Sequence, residues 1–116
     1  MKSPFEIKKE ICEVGHKLWM KGFVAANDGN ISVKISDNEY YCTPTGVSKG
    51  DLTPDMIIKV DKDGKKLEGK LNPSSEIKMH MRVYKERPDV KSVVHAHPIY
   101  ATSFAIAGIP LTQPIM

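Results

Sequence analysis

An α/β sandwich, with helices covering a small and mainly antiparallel sheet, is the fold class this sequence predicts. Three observations carry it. Apolar residues recur at helical spacing near the start, the spacing shortens to two through the middle, and a second helical pattern, a short apolar strand and an Ala-rich helix follow. At 116 residues the chain permits one domain, so residues 1–116 are read as a single unit. There is no internal repeat, linker or low-complexity tract to divide it.

Each element has its own signal. Ser3-Pro4-Phe5-Glu6 has the form of a helix start, with Ser3 as N-cap, Pro4 at the first helical position and Glu6 closing a capping box. Ile7, Ile11, Val14 and Leu18 then form one apolar stripe that ends near Gly22, with Trp19 and Phe23 extending the packing. His16, among these residues, reads as a structural or surface histidine. From Asn30 the period is two, with Ile31, Val33 and Ile35 on one face and Ser32, Lys34 and Ser36 on the other. Asp37-Asn38 makes a turn and residues 39–43 return as a second strand. After the Pro44 and Gly46 loop, residues 56–60 and 65–67 flank Asp61-Lys62-Asp63-Gly64, a second hairpin signal. That acidic turn lacks the spaced ligands and distal Glu of a calcium loop and reads as a solvated turn. Pro73-Ser74-Ser75 opens a helix with Ile77, Met81 and Tyr84 on its apolar face, stopped by Pro88. Residues 92–97 form a short buried strand, and residues 99–107 an Ala-rich helix closed by Gly108 and Pro110.

Composition excludes several classes of function. Seventeen Lys and Arg against fourteen Asp and Glu leave a formal charge of +3, with only isolated basic pairs at Lys8-Lys9 and Lys65-Lys66, so no nucleic-acid partner is expected. No apolar stretch approaches the roughly 18 residues of a membrane span, and the start has no apolar signal core. A cytoplasmic protein with no membrane partner is the expectation. Cys12 and Cys42 then read as reduced, buried thiols.

His95 and His97 are the sharpest chemical feature. Two residues apart on a strand, they project from one face with Cα atoms about 6.6 Å apart, a spacing that suits two imidazoles on one metal ion. A strand end with two histidines facing solvent satisfies the same pattern. Glu76 follows Pro-Ser-Ser at a helix start, where exposed amides attract anions. Helix capping by Ser74 or Ser75, with Glu76 complementing the dipole, explains those residue types equally well. His80, four residues on, shares the helical face of Glu76 and reads as a packed histidine in preference to a third ligand. Asn27-Asp28-Gly29-Asn30 and Thr43-Pro44-Thr45-Gly46 are turns that offer backbone N–H groups to an anion if they converge with Ser74 and Ser75, and are ordinary turns if they do not.

Taken together and in order, NDGNIS (27–32), TPTG (43–46), PSSE (73–76) and HAHP (95–98) resemble the class II sugar-phosphate aldolase and adducin-head family. The resemblance covers nearly the whole chain but only the N-terminal half to two-thirds of the family's usual extent. It implies a three-layer α/β/α subunit with a mainly antiparallel central sheet, assembled as a homotetramer with active sites between neighbours. It also implies one Zn2+ per subunit and a retro-aldol reaction on a phosphorylated small sugar. Carried over residue by residue, His95 and His97 would be two of three zinc histidines, and Glu76 the catalytic acid/base. Gly29, Asn30, Thr45, Gly46, Ser74 and Ser75 would hold the substrate phosphate. Lys49 could add charge near that phosphate, but a solvated lysine is the preferred reading.

Related pentulose-phosphate 4-epimerases usually carry Asp where this chain has Glu76. The Glu favours an aldolase, with L-fuculose 1-phosphate, cleaved to dihydroxyacetone phosphate and lactaldehyde, as the leading substrate. An L-ribulose-5-phosphate 4-epimerase-like enzyme and a non-catalytic adducin-like interaction domain are the alternatives, and the intact Glu76, His95 and His97 argue against the second. The family's third zinc histidine lies downstream of HAHP, and no histidine follows His97. A donor tyrosine of the aldolases is likewise absent after Ile109-Pro110. The expectation is a domain whose C-terminal part is missing and whose activity needs that part.

Overall fold

A computed structural model describes residues 2–22 and 29–96. The expected helix over residues 99–107, together with Phe23, Asn27, Asp28 and His97, lies outside the described residues.

Helix α1 spans Pro4–Met20 and begins as its sequence dictates. The Ser3 hydroxyl accepts from the Glu6 N–H at 3.2 Å, and the Glu6 carboxylate accepts from the Ser3 N–H at 3.2 Å. Five strands follow the order β4-β3-β2-β1-β5, all neighbours antiparallel: β1 Asn30–Ser36, β2 Glu39–Cys42, β3 Ile58–Val60, β4 Lys66–Glu68 and β5 Ser92–His95. Helix α2, Ile77–Glu86, connects the outer hairpin back to β5 at the opposite edge.

The period of two along the strands sorts the core into two layers. Ile31, Tyr41 and Val94 pack with Ile11 and Leu18 of α1, while Tyr40, Cys42, Ile58 and Val93 pack with Ile77, Met81 and Tyr84 of α2. The sheet therefore has a helix on each face, and the three-layer α/β/α architecture follows. Cys12 lies in the first layer and Cys42 in the second, so the sheet separates two buried free thiols. Burial pushes them up to about 11 and about 12 respectively.

Local differences from the sequence reading have physical causes. Ile35 does not join Ile31 and Val33 in the core: the register shifts between Lys34 and Ser36, and this irregularity turns the side chain outward, 36% exposed. Strand β3 starts at Ile58 because Pro54–Met56 is a 3-10 turn. Between β3 and β4 the Asp61 carboxylate accepts from the N–H groups of Asp63 and Lys65 at 2.9 Å each, so the acidic turn is capped by its own first residue. His16 serves structure, with Nε2 2.9 Å from the Leu52 carbonyl. Trp19 is half exposed yet lies against Gly50, where an added Cβ would meet its ring at 2.7 Å. Lys49 corrects the reading of a solvated lysine: in the 3-10 turn Lys49–Asp51, packed under α1, it is only 1% exposed. Among the described residues no helix is long and apolar enough to cross a membrane.

Candidate active site

Three stretches far apart in sequence are stitched together by backbone bonds at one end of the sheet. The Thr43 N–H donates to the Ile31 carbonyl at 3.0 Å and the Thr43 hydroxyl accepts from the Ile31 N–H at 3.1 Å, which ties the 43–46 loop to the start of β1. Pro44 forms an isolated antiparallel bridge with Pro73, and the Thr45 N–H donates to the Asn72 carbonyl at 2.9 Å, which ties the same loop to the approach to α2. Gly29 and Gly46 both adopt positive φ, 87° and 77°, a region open to glycine without a Cβ penalty. Gly29 and Asn30 on one side, Thr45 and Gly46 in the middle, and Ser74 and Ser75 beyond are thereby brought to one edge. Thr45, Gly46 and Ser75 are exposed there, and Ser74 is half-buried with its hydroxyl accepting from the Glu76 N–H at 3.2 Å.

Glu76 is the N-cap of α2, but its side chain makes no capping bond. The Ser74 hydroxyl supplies the bond at the helix start, and the Glu76 carboxylate reaches instead towards β1 and β5. One oxygen, Oε2, accepts from the Asn30 side-chain amide and also lies 3.7 Å from His95 Nδ1. Asn30 and His95 face each other directly across β1 and β5, so strand register places both beside the helix start. The imidazole is nearly enclosed while the carboxylate is 40% exposed, leaving the acid open to a ligand.

Beneath this pair lies a polar group that the sequence does not announce. His80 is 0% exposed, and its Nδ1 is 2.7 Å from the Ser32 hydroxyl, which in turn is 2.8 Å from the Tyr84 hydroxyl. Burial, and then the nearby His95, hold the His80 imidazole down at about 4, so it is neutral at pH 7. Burial likewise pushes the Tyr84 phenol up. His80 is thus a packed histidine, as its sequence context suggests. In sequence, Ser32 belongs to a polar strand face and Tyr84 to an apolar helix face. Their available signal was the 77, 81, 84 stripe of α2, which requires the even-numbered face of β1 to be covered as well.

Among the described residues no group of three or more His, Cys, Asp and Glu side chains converges to hold a metal ion. The donors present suit a divalent cation by kind, since His95 offers a buried imidazole beside a carboxylate.

A carboxylate held by a neutral amide, next to an imidazole and bordered by glycine turns and hydroxyls, has the makings of an acid/base centre for an anionic ligand. Comparison with known proteins identifies the lineage. Residues 9–116 match the Class II Aldolase and Adducin N-terminal domain, and the chain belongs to that family. It is 41% identical over 98 residues, 84% of its length, to an L-fuculose phosphate aldolase of Methanococcus vannielii, covering 52% of that protein. A 3-oxo-tetronate 4-phosphate decarboxylase of Haemophilus influenzae is 34% identical, with coverage of 84% and 46%. The fold superposes on an L-fuculose 1-phosphate aldolase structure with a TM-score of 0.73 at 32% identity, covering 80% of this chain and 44% of that one. The chain thus spans about half the length of the relatives it matches.

Proposed function

We propose that this chain is the N-terminal portion of a metal-dependent lyase acting on a phosphorylated small sugar, with retro-aldol cleavage of L-fuculose 1-phosphate as the leading reaction. The observation that carries the reading is the Glu76 carboxylate, positioned by Asn30 and next to His95 instead of capping its helix.

The chemistry follows from that placement. Aldol cleavage and decarboxylation beside a ketone both leave negative charge on the carbon next to a carbonyl. A carboxylate at that carbon exchanges the proton. A divalent cation, zinc on this reading, held by His95 and His97 would polarise the carbonyl and offset charge building on its oxygen. Gly29, Asn30, Thr45, Gly46, Ser74 and Ser75 offer N–H and hydroxyl groups to the phosphate, which anchors the substrate away from the reacting carbons. Fixing the phosphate fixes which carbon faces Glu76.

The named relatives include both an aldolase and a decarboxylase, and the greater identity to the aldolase supports that branch. A phosphorylated substrate fits a cytoplasmic enzyme, and the homotetramer implied by the family resemblance belongs to the same reading. Zinc content and cleavage of L-fuculose 1-phosphate, measured on this chain and on a longer form of the protein, test it. Stoichiometric zinc and release of dihydroxyacetone phosphate by the longer form are expected. A zinc-loaded longer form that turns over no sugar phosphate would contradict the proposal.

A further inference from the structure

The Ser32 hydroxyl joins two buried partners, the Tyr84 hydroxyl at 2.8 Å and His80 Nδ1 at 2.7 Å, and either oxygen can donate in the first contact. Ser32 has a single proton to give, and in the arrangement where Tyr84 donates to it that proton goes to His80 Nδ1. A neutral imidazole that accepts at Nδ1 carries its hydrogen on Nε2. This Nε2 is fully buried and has no hydrogen-bond partner among the described residues.

The position of the ring indicates what that donor serves. His80 lies one helical turn after Glu76 on the same face of α2. Ser32, which orients the ring, is one pleat from Asn30, which holds the Glu76 carboxylate. The polar chain and the site thus share one face of β1 and one face of α2.

We propose that His80 is a positioning residue: its Nε2–H, oriented by Ser32 and Tyr84, receives the Glu76 carboxylate when the site is filled, so that the base is held between two neutral donors, Asn30 and His80. Neutrality matters, because a cationic donor would stabilise the carboxylate's charged form and weaken it as a base, whereas an amide and a neutral imidazole fix its place at less cost in basicity. The role rests on the lyase reading above.

Two measurements test it. Nitrogen-15 chemical shifts on this chain read the tautomer without any need for turnover: His80 is expected as the Nε2–H form, and Ser32→Ala is expected to give a mixture. An Nδ1–H tautomer in the unmodified protein overturns the proposal. Second, in the zinc-loaded longer form, His80→Gln places an amide where Nε2 stands, and His80→Asn places one where Nδ1 stands. H80N is expected to lose about ten- to a hundredfold in kcat with KM unchanged, and H80Q to recover part of that loss. H80N at parental kcat, with Glu76→Gln inactive, overturns the positioning role alone. E76Q at parental kcat overturns the lyase reading and this proposal with it.

Discussion

The Glu76 carboxylate accepts a hydrogen bond from the side-chain amide of Asn30, a residue 46 positions earlier in the chain. The contact joins the first residue of β1 to the N-cap of α2, and places the carboxylate 3.7 Å from His95 on the neighbouring strand.

Asn30→Ala removes that donor while leaving the backbone of β1 able to pair. The carboxylate then keeps only His95 of these two neighbours, and its position broadens. Turnover by the longer form is expected to fall about ten- to a hundredfold, mainly in kcat. Steady-state kinetics on the variant checks this, and an unchanged kcat would separate the contact from function.

Ser32→Ala tests the buried polar chain as a source of stability. The substitution removes the hydroxyl without adding bulk and leaves His80 Nδ1 and the Tyr84 hydroxyl buried without their Ser32 partner. Each such group costs about 1–3 kcal/mol. Urea denaturation is expected to show a loss of about 2–6 kcal/mol, with the secondary structure of the native state retained.

Stability should depend on pH through His80. Its pKa is about 4 in the folded protein against 6.5 as the ordinary value, so between these values the unfolded chain binds the proton and the folded one does not. The neutral, buried imidazole is accommodated without loss above pH 6.5, and stability falls as pH drops from 6.5 towards 4, by roughly 3 kcal/mol at most. Denaturant titrations between pH 4 and pH 7 should show this slope, and H80Q should lose its share of it.

Gly15 sits where α1 meets the 3-10 turn at Lys49–Asp51. A Cβ there would lie 2.8 Å from the Leu52 side chain and 3.3 Å from the Lys49 carbonyl. Alanine would gain about 1 kcal/mol of helix propensity, but overpacking against backbone costs about 1–3 kcal/mol. Gly15→Ala is therefore expected to lower the urea midpoint despite its higher helix propensity.

Much of this fold was legible from pattern, because α1, the β1–β2 hairpin and α2 each repeat their apolar residues at the period of the element they form. The capping box at Ser3 and Glu6 was readable to the residue. Ile35 was misread because an irregularity in register depends on the partner strand, which no local window contains. Lys49 was misread because its burial arises from α1 packing over a turn 30 residues away. In the site, residue kinds and order named Glu76, His95 and the glycine turns, whereas capping and chemistry remained equal alternatives for Glu76. The contacts of its side chain with Asn30 and His95 arise from strand pairing that no local window contains. Ser32 escaped notice because one serine on a strand looks solvent-facing until a second helix is known to cover that face.

The central claim, that Glu76 moves the proton at the carbon beside the carbonyl, is tested most directly by hydrogen exchange. The zinc-loaded longer form is incubated with dihydroxyacetone phosphate in deuterium oxide, and deuterium at the hydroxymethyl carbon is followed by NMR. The account predicts exchange by the unmodified protein and a rate at least about a hundredfold lower in E76Q. Exchange by E76Q at the unmodified rate, or none by either protein with zinc bound, would contradict it.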